Sequence, residues 1–445
     1  MKIKKIFCTI LCLLLVVSPI NVLAATYVSD SQIVSFKTPV SPADTELLWS
    51  AKLGTSYKNA PSTQIVVGDT LIVMSGKKLL KINVKNGKTV KSADMVDVPS
   101  YSYTSPLYAD GVIYCPLDNA KIQAFNYKTM KSMWVYTDPL GGQSLSPITY
   151  DGGYIYTGFW NDEDRNANYV CLSVKDENTK ETHEAKKAVW SYKNLGGFYW
   201  AGCVTVGDNV IFGCDDGTVY ANKASKIVSL NKKTGKLTGT MPIVGDQRSS
   251  MTYYGGKLYF TTKAGYLYSV SLNSNGTFND SSARRLSLGG ASTSTPLIYN
   301  GRLYLGVQGN GFGPGYFKVI NANNLSVIYS AQTKGYPQGR FLLSDAYLKD
   351  TGKVNIYITY NNNPGGITMF TDSANQTKAE SQELFTPADG QRNYCISSIV
   401  CDENGTLFYK NDSGYIFAVH TKTKKVSFFK RIFNAIAEFF RKLFG

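Results

Sequence analysis

Short apolar runs punctuated by turn residues fill most of this chain, and one stretch shows the pattern in full. In SPLYADGVIYCPLDNAKIQAFNYKTMKSMWVY, residues 105–136, three runs rich in Val, Ile and Tyr are separated by Asp110-Gly111 and by Leu117-Asp118-Asn119-Ala120, and a fourth forms around Trp134. Turn chemistry alternating with β-branched and aromatic residues at this spacing predicts a four-stranded antiparallel sheet. The pattern returns as SPITYDGGYIYTG (146–158), SSMTYYGGKLYFTT (249–262) and TPLIYNGRLYLG (295–306). The second run of each unit carries an apolar pair, and these pairs number the repeats: Ile72-Val73, Ile113-Tyr114, Ile155-Tyr156, Ile211-Phe212, Leu258-Tyr259, Leu303-Tyr304, Ile356-Tyr357 and Leu407-Phe408. Steps of 41 to 56 residues suit four strands of about 5–6 residues with short turns, the longer steps carrying loop insertions.

Eight such sheets predict an all-β fold, an eight-bladed β-propeller of four-stranded antiparallel blades over residues 46–425. Radial packing buries both faces of each sheet against its neighbours and leaves only short edges exposed. A sandwich, or two of them, is the alternative, and the regular spacing argues against it. The last unit, from Cys395 to Val419, supplies three strands. Residues 47–52 of ELLWSAKLG are therefore expected to become the outer strand of the eighth blade and close the ring. Residues 25–45, polar and broken by Pro, read as a linker.

After the third run several units enter a turn of one type: Asn231 to Lys236 as NKKTGK, Val84 to Lys88 as VKNGK, Asn126 to Lys131 as NYKTMK, with Trp134 and Trp190 following in two cases. This resembles the A-x-D-x-x-T-G-x-x-x-W repeat of the pyrroloquinoline-quinone-like (PQQ-like) β-propeller family, in which the Trp docks between blades. The resemblance implies the propeller fold. It does not fix an activity, because that family holds quinoprotein dehydrogenases as well as binding and scaffolding proteins without a cofactor. The dehydrogenases sandwich their quinone between a Trp and a pair of adjacent cysteines and hold calcium with carboxylate and amide groups. This chain has no adjacent cysteines, and Trp200 alone matches such a floor.

The two ends carry a different pattern. Residues 1–24 begin with Lys2, Lys4 and Lys5, continue as IFCTILCLLLVV and end SPINVLA. They read as a secretion signal cleaved after Ala24 or Ala25, too short to span a bilayer. In residues 426–445, Phe429, Ile432, Phe433, Ile436, Phe439, Phe440 and Leu443 follow the spacing of one helical face, opposite Lys430, Arg431, Arg441 and Lys442. A basic amphipathic helix of this kind is expected to lie on an anionic membrane surface, or else to pack its Phe face on the propeller or a partner. Much of the net charge of +15 sits in the two ends. The body is mildly basic, which is no nucleic-acid signature.

Candidate chemistry is concentrated in loops. Segments entering the first strand of each blade gather on one face of a propeller, and there the chain places Tyr57, Tyr101, Tyr103, Trp200, Arg248, Gln338, Arg340 and Arg392. Stacking rings beside guanidinium and amide donors suit a glycan, an anionic envelope polymer or an extended peptide. Asp162, Glu163 and Asp164 lack the spacing of a dedicated calcium loop and read as a solvated acidic turn. His183, in a charged segment read as a solvated insertion, and His420 are the only histidines, which excludes a histidine-rich metal centre and a Ser-His-Asp triad. Cys203 and Cys214 flank the Gly207-Asp208-Asn209 turn; they are open to a cross-strand disulfide or, with Cys115, Cys171, Cys395 and Cys401, to a life as buried free thiols.

The sequence therefore reads as a secreted, monomeric binding or scaffold propeller at a bacterial-type cell surface. It is expected to use no catalytic residue, metal or cofactor and to engage a polymer or protein on one rim face. The alternative is a quinoprotein-like oxidoreductase using PQQ and calcium.

Overall fold

The computed structural model describes residues 27–29, 31–218, 223–311 and 313–422. The leader 1–24 and the amphipathic segment 426–445, with its proposed membrane-binding residues Phe429 to Leu443, lie outside the described residues.

Eight antiparallel blades follow one another along the chain; the first seven take their four strands in sequence order, and the eighth takes three, its outer strand coming from the chain's beginning. Every second strand is buried on both faces. Ile72 belongs to a core shared by blades one and two, while Val73 belongs to a core shared by blades eight and one. Ile113 and Tyr114 split in the same way between the first core and the next. Successive side chains on a strand point to opposite faces, so a strand between two neighbours must be apolar at both positions. The apolar pairs of the sequence are the consequence. Eight cores form, each between consecutive blades, and together they make a ring.

Tryptophan fastens three of these junctions. Trp49, Trp134 and Trp190 each donate an indole N–H to a carbonyl near the turn of the following blade: Val84 at 2.7 Å, Val174 at 3.4 Å and Lys232 at 2.9 Å. Gly87 and Gly235 lie flat against the Trp49 and Trp190 rings at φ +69° and +70°. The repeated turn thus needs Gly for its left-handed backbone and for the ring it receives.

Ring closure uses the chain's beginning. Thr45–Lys52 pairs antiparallel with Tyr415–Thr421, as the outer strand of the eighth blade. The segment before it is no linker. Val28 bridges Val67 in blade one, Ile33–Val34 pairs in parallel with the first strand of blade seven, and Tyr27 Oη donates to the Cys401 carbonyl of blade eight at 2.8 Å. Thr38, fully buried, is 2.6 Å from Tyr357 Oη, which donates to the Pro39 carbonyl. Buried hydrogen bonds of this kind turn a Pro-broken polar stretch into a strap across blades one, eight and seven.

Two further expectations are corrected, and one open alternative is resolved. The charged insertion after blade three's third strand is not wholly solvated: Glu184–Lys186 pairs in parallel with the outer strand of blade two, Ser132–Thr137. Cys203 and Cys214 are free and buried, as are the other four described cysteines. A two-residue turn pairs Val206 with Asn209, so the register runs Val204 to Ile211 and the two thiols do not face each other. Glu163 is also not solvated, as shown below.

Candidate functional site

A cavity of about 140 Å³ lies where the eight entry segments converge, and every blade contributes to its lining. Half of its lining residues carry a small hydroxyl side chain, Thr63, Thr104, Ser105, Ser146, Ser249, Ser250, Thr293, Thr295 and Ser398, and they are joined by Tyr103, Trp200, Arg248, Gln338 and Arg340 and by Leu145, Pro147, Gly339 and Ile396. Small hydroxyl residues suit this place because each first strand starts close to the axis. Many of these hydroxyls also fasten neighbouring segments, as Ser146 Oγ does by donating to the Phe198 carbonyl at 2.6 Å.

A continuous ladder of rings runs across the rim and passes this mouth at its middle. Tyr57 contacts Tyr101 edge-on with centroids 6.3 Å apart, and Tyr101 stacks on Tyr103 at 5.7 Å. Tyr103 meets Trp200 at 6.0 Å, Trp200 meets Tyr199 at 5.0 Å, and Tyr199 meets Trp160 at 5.1 Å. Tyr57 is 50 % exposed and the others are half-buried. Tyr57 and Trp200 hold left-handed backbone at φ 48° and 57°, a conformation that costs a non-glycine residue about 1–3 kcal/mol and persists only where the surroundings impose it.

Cations stand behind the rings. Lys58 Nζ lies 5.8 Å from the Tyr101 centroid, Lys410 Nζ 5.1 Å from Tyr103, and the Arg248 guanidinium 4.6 Å from Tyr199. Arg248 is buried among carboxylates, its Nη2 2.6 Å from Asp215, 3.3 Å from Asp246 and 3.5 Å from Glu163. Burial pushes Asp215 well above the usual carboxylate range in spite of that guanidinium, and Asp246 moves up for the same reason. Burial lowers Arg248's own affinity for its proton, but the surrounding carboxylates outweigh it and hold the group above its ordinary value. Burial likewise lowers Lys410, whose side chain is fully enclosed 3.2 Å from Asp412, and raises Asp412. Tyr199 is pushed up to about 12, mainly by burial.

The residues singled out from sequence thus divide. Tyr57, Tyr101, Tyr103 and Trp200 join one ladder, and Tyr103, Trp200, Arg248, Gln338 and Arg340 line one cavity. Arg248 is committed to an internal ionic cluster. Arg392 lies apart from the cavity, paired with Asp389 at 2.7 Å and donating to the Pro387 carbonyl. Tyr199 lies in an entering segment that sequence places at the mouth, whereas Trp160, Lys410 and the hydroxyl ring were passed over. The signal for the last was present in Ser62-Thr63, Thr104-Ser105, Ser249-Ser250 and Ser397-Ser398, each just before a first strand.

A quinone with calcium is not accommodated by these residues. The cavity is smaller than the roughly 300 Å³ from which small-molecule and cofactor sites begin. No carboxylate lines it, and Trp200 meets its neighbouring rings edge-on or tilted instead of forming one wall of a flat slot. Among the described residues no cluster of three or more His, Cys, Asp or Glu side chains is arranged to hold a metal ion.

Comparison with known proteins agrees with the architecture. Residues 38–164 match a PQQ-repeat family model described as outer membrane protein assembly factor BamB. No curated protein matches by sequence. The fold is similar to BamB from Moraxella catarrhalis (TM-score 0.57, 12 % identity, covering 84 % of this chain and 99 % of that one). It is also similar to quinohemoprotein alcohol dehydrogenase from Comamonas testosteroni (0.65, 12 %, 89 % and 80 %) and to a europium-containing methanol dehydrogenase (0.64, 10 %, 88 % and 96 %). The chain thus carries a PQQ-repeat match over residues 38–164, and its eight-bladed architecture is similar to that of these propellers.

Proposed function

We propose that this propeller is a cell-surface binding module that captures an extended glycan along the aromatic ladder from Tyr57 to Trp160. In this reading residues 1–24 direct secretion and residues 426–445 hold the module at an anionic membrane surface. The observation that carries it is the unbroken series of six partly exposed rings whose middle members, Tyr103 and Trp200, line the axial mouth. Sugar rings offer apolar C–H faces to aromatic faces and hydroxyls to hydroxyl, amide and guanidinium partners, so both halves of the surface find a counterpart. A peptide captured by strand addition needs an open sheet edge. The blades turn their first strands to the axis and their outer strands to the periphery, so the ladder face offers none.

Binding to a panel of glycans and envelope polymers tests the reading. Tyr101→Ala and Trp200→Ala should each weaken a polymer hit about tenfold, or about 1.4 kcal/mol, the scale of a lost aromatic contact. Capture unchanged in both variants would move the site elsewhere. Co-sedimentation with anionic liposomes, lost on deleting 426–445, tests the attachment separately.

A further inference from the structure

The face opposite the ladder has a chemistry of its own. Strands within a blade alternate in direction, so the entering segments and the second-to-third turns share the ladder face, while the first-to-second and third-to-fourth turns share the other. On that other face the third-to-fourth turns of blades one and two carry Lys85, Lys88, Lys128 and Lys131, all exposed. Among the described residues, none of these four side chains has an ion pair or hydrogen bond. Two more lysines crowd the same junction: Lys91 Nζ donates to the Lys128 carbonyl at 3.3 Å, and Lys81 Nζ lies 3.5 Å from the Tyr127 centroid. Burial lowers Lys81's affinity for its proton, and the neighbouring Lys91 lowers it further. Blade four repeats the pattern with exposed Lys233 and Lys236. Blades five and six place Asn273-Ser274-Asn275 and the uncharged run from Asn321 to Ser326 there instead.

Exposed apolar side chains accompany these lysines. Val90 and Leu237, 55 % and 57 % exposed, begin the outer strands of blades one and four, and Val189 and Leu48 take the same level in blades three and eight. A merely solvated turn gains nothing from such side chains. Carboxylates on this face lie mostly at the inner turns, where Asp110 accepts from Tyr150 and Asp151 holds Lys232 at 2.7 Å. The insertion of blade three balances its own lysines with Glu177, Glu181 and Glu184. Positive charge is therefore a property of the outer edge. The chain's tail leaves from that edge. Thr421 pairs with Thr45, the first residue of blade eight's outer strand, and the Lys422 backbone N–H donates to the Asp44 carbonyl. The described chain thus ends at the third-to-fourth turn position of blade eight, beside the lysine turn of blade one that Trp49 reaches through the Val84 carbonyl.

We infer that the outer edge running from blade eight through blade four rests on an anionic lipid surface beside the tail, which turns the ladder away from the membrane. This rests on the proposed attachment through residues 426–445 and adds to it a second contact and an orientation. Lysine stems lie along such an interface with their ammonium groups at the phosphates, and the Val and Leu side chains between them enter the headgroup boundary. A soluble polyanion would use the lysines alone.

Co-sedimentation of the full chain with phosphatidylcholine vesicles, with and without phosphatidylglycerol, reads the contact. Lys85→Gln, Lys88→Gln, Lys128→Gln and Lys131→Gln together should weaken binding to the charged vesicles about a hundredfold, at roughly three- to fivefold for each lysine, with an unchanged melting temperature. Lys77→Gln with Lys193→Gln, exposed on the ladder half, should change it less than about twofold, because charges beyond the screening length of the surface contribute little. Val90→Ser with Leu237→Ser should weaken it about fivefold, the scale of partial apolar burial. No effect from that pair would make the edge a plain polyanion surface and overturn the lipid assignment. Equal losses per charge on the two faces would overturn the orientation. The two readings fail separately. Binding that survives loss of the four lysines but not deletion of 426–445 would retain the tail as anchor and discard the edge. Binding that survives the deletion but falls on loss of the four lysines would retain the edge and discard the tail.

Discussion

Lys410 and Asp412 show how much a single pair can matter under a rim. Their side chains are 0 % and 6 % exposed, and Lys410 supports the Tyr103 ring from behind. Breaking a buried pair leaves one uncompensated charge and costs about 3–5 kcal/mol, whereas replacing both partners is often neutral. Lys410→Met should therefore destabilise by about 3 kcal/mol in urea unfolding, and Lys410→Met with Asp412→Asn should recover most of it. A second prediction concerns pH. Burial raises Asp215, Asp246 and Asp412 above their usual range, so each binds a proton more tightly folded than unfolded. Their ionisation weakens the fold at neutral pH, and the penalty is relieved as pH falls through the folded values toward about 3.9, the unfolded one. Asp246→Asn cannot titrate there. The wild type should gain stability relative to this variant between pH 7 and pH 4, and curves that stay parallel would remove the assigned shift.

At the scale of elements, the junction between a Trp and the next blade's Gly is both the most readable feature and the easiest to test. A Cβ on Gly235 would stand 2.7 Å from the Trp190 ring and force a side chain into left-handed backbone, while one on Gly111, at φ +79°, meets nothing within 4 Å. Gly111→Ala should cost about 1 kcal/mol, the backbone term alone, and Gly235→Ala about 2–3 kcal/mol, the excess measuring the ring contact. Equal losses would mean that the Trp moves aside freely. The turn sequence and the Trp announced this contact because both chemistries are local. What depended on partners far along the chain did not show. Blade six lacks the Trp and uses Tyr329, whose hydroxyl donates to Asp372 of blade seven at 2.9 Å beside the Arg302 guanidinium. Nothing near Tyr329 in sequence names that carboxylate. The aromatic mouth was visible in Tyr101, Tyr103 and Trp200, yet Glu163, more than eighty residues from Arg248, reads as solvent-facing until the fold brings it to 3.5 Å. Of the two states open to Cys203 and Cys214 the free thiols hold, because one residue in the loop shifts every cross-strand partner.

The whole molecule depends on a closure that joins the two ends of the described chain. Blade eight owes its outer strand to Thr45–Lys52, paired from Thr45 with Thr421 to Lys52 with Tyr415. That strand's Trp49 also locks onto blade one through the Val84 carbonyl and Gly87. With this strand removed, Tyr415–Thr421 becomes an open edge, and the core between blades eight and one loses the Trp49 ring packed against it. Closing contacts so distant in sequence form late and carry a large loop entropy, so they are the natural place for the ring to open first. A covalent link across the junction tests this. Glu46 and His420 are paired in register, and cysteines at both positions should, once oxidised, stabilise by about 2–4 kcal/mol and slow unfolding relative to the reduced form. The same pair of cysteines placed within a blade, at Thr205 and Val210, closes only a short loop and should slow unfolding far less. Equal slowing by the two links would show that blades melt internally before the ring opens, and the seam between first and last strands would lose its place as the gate to unfolding.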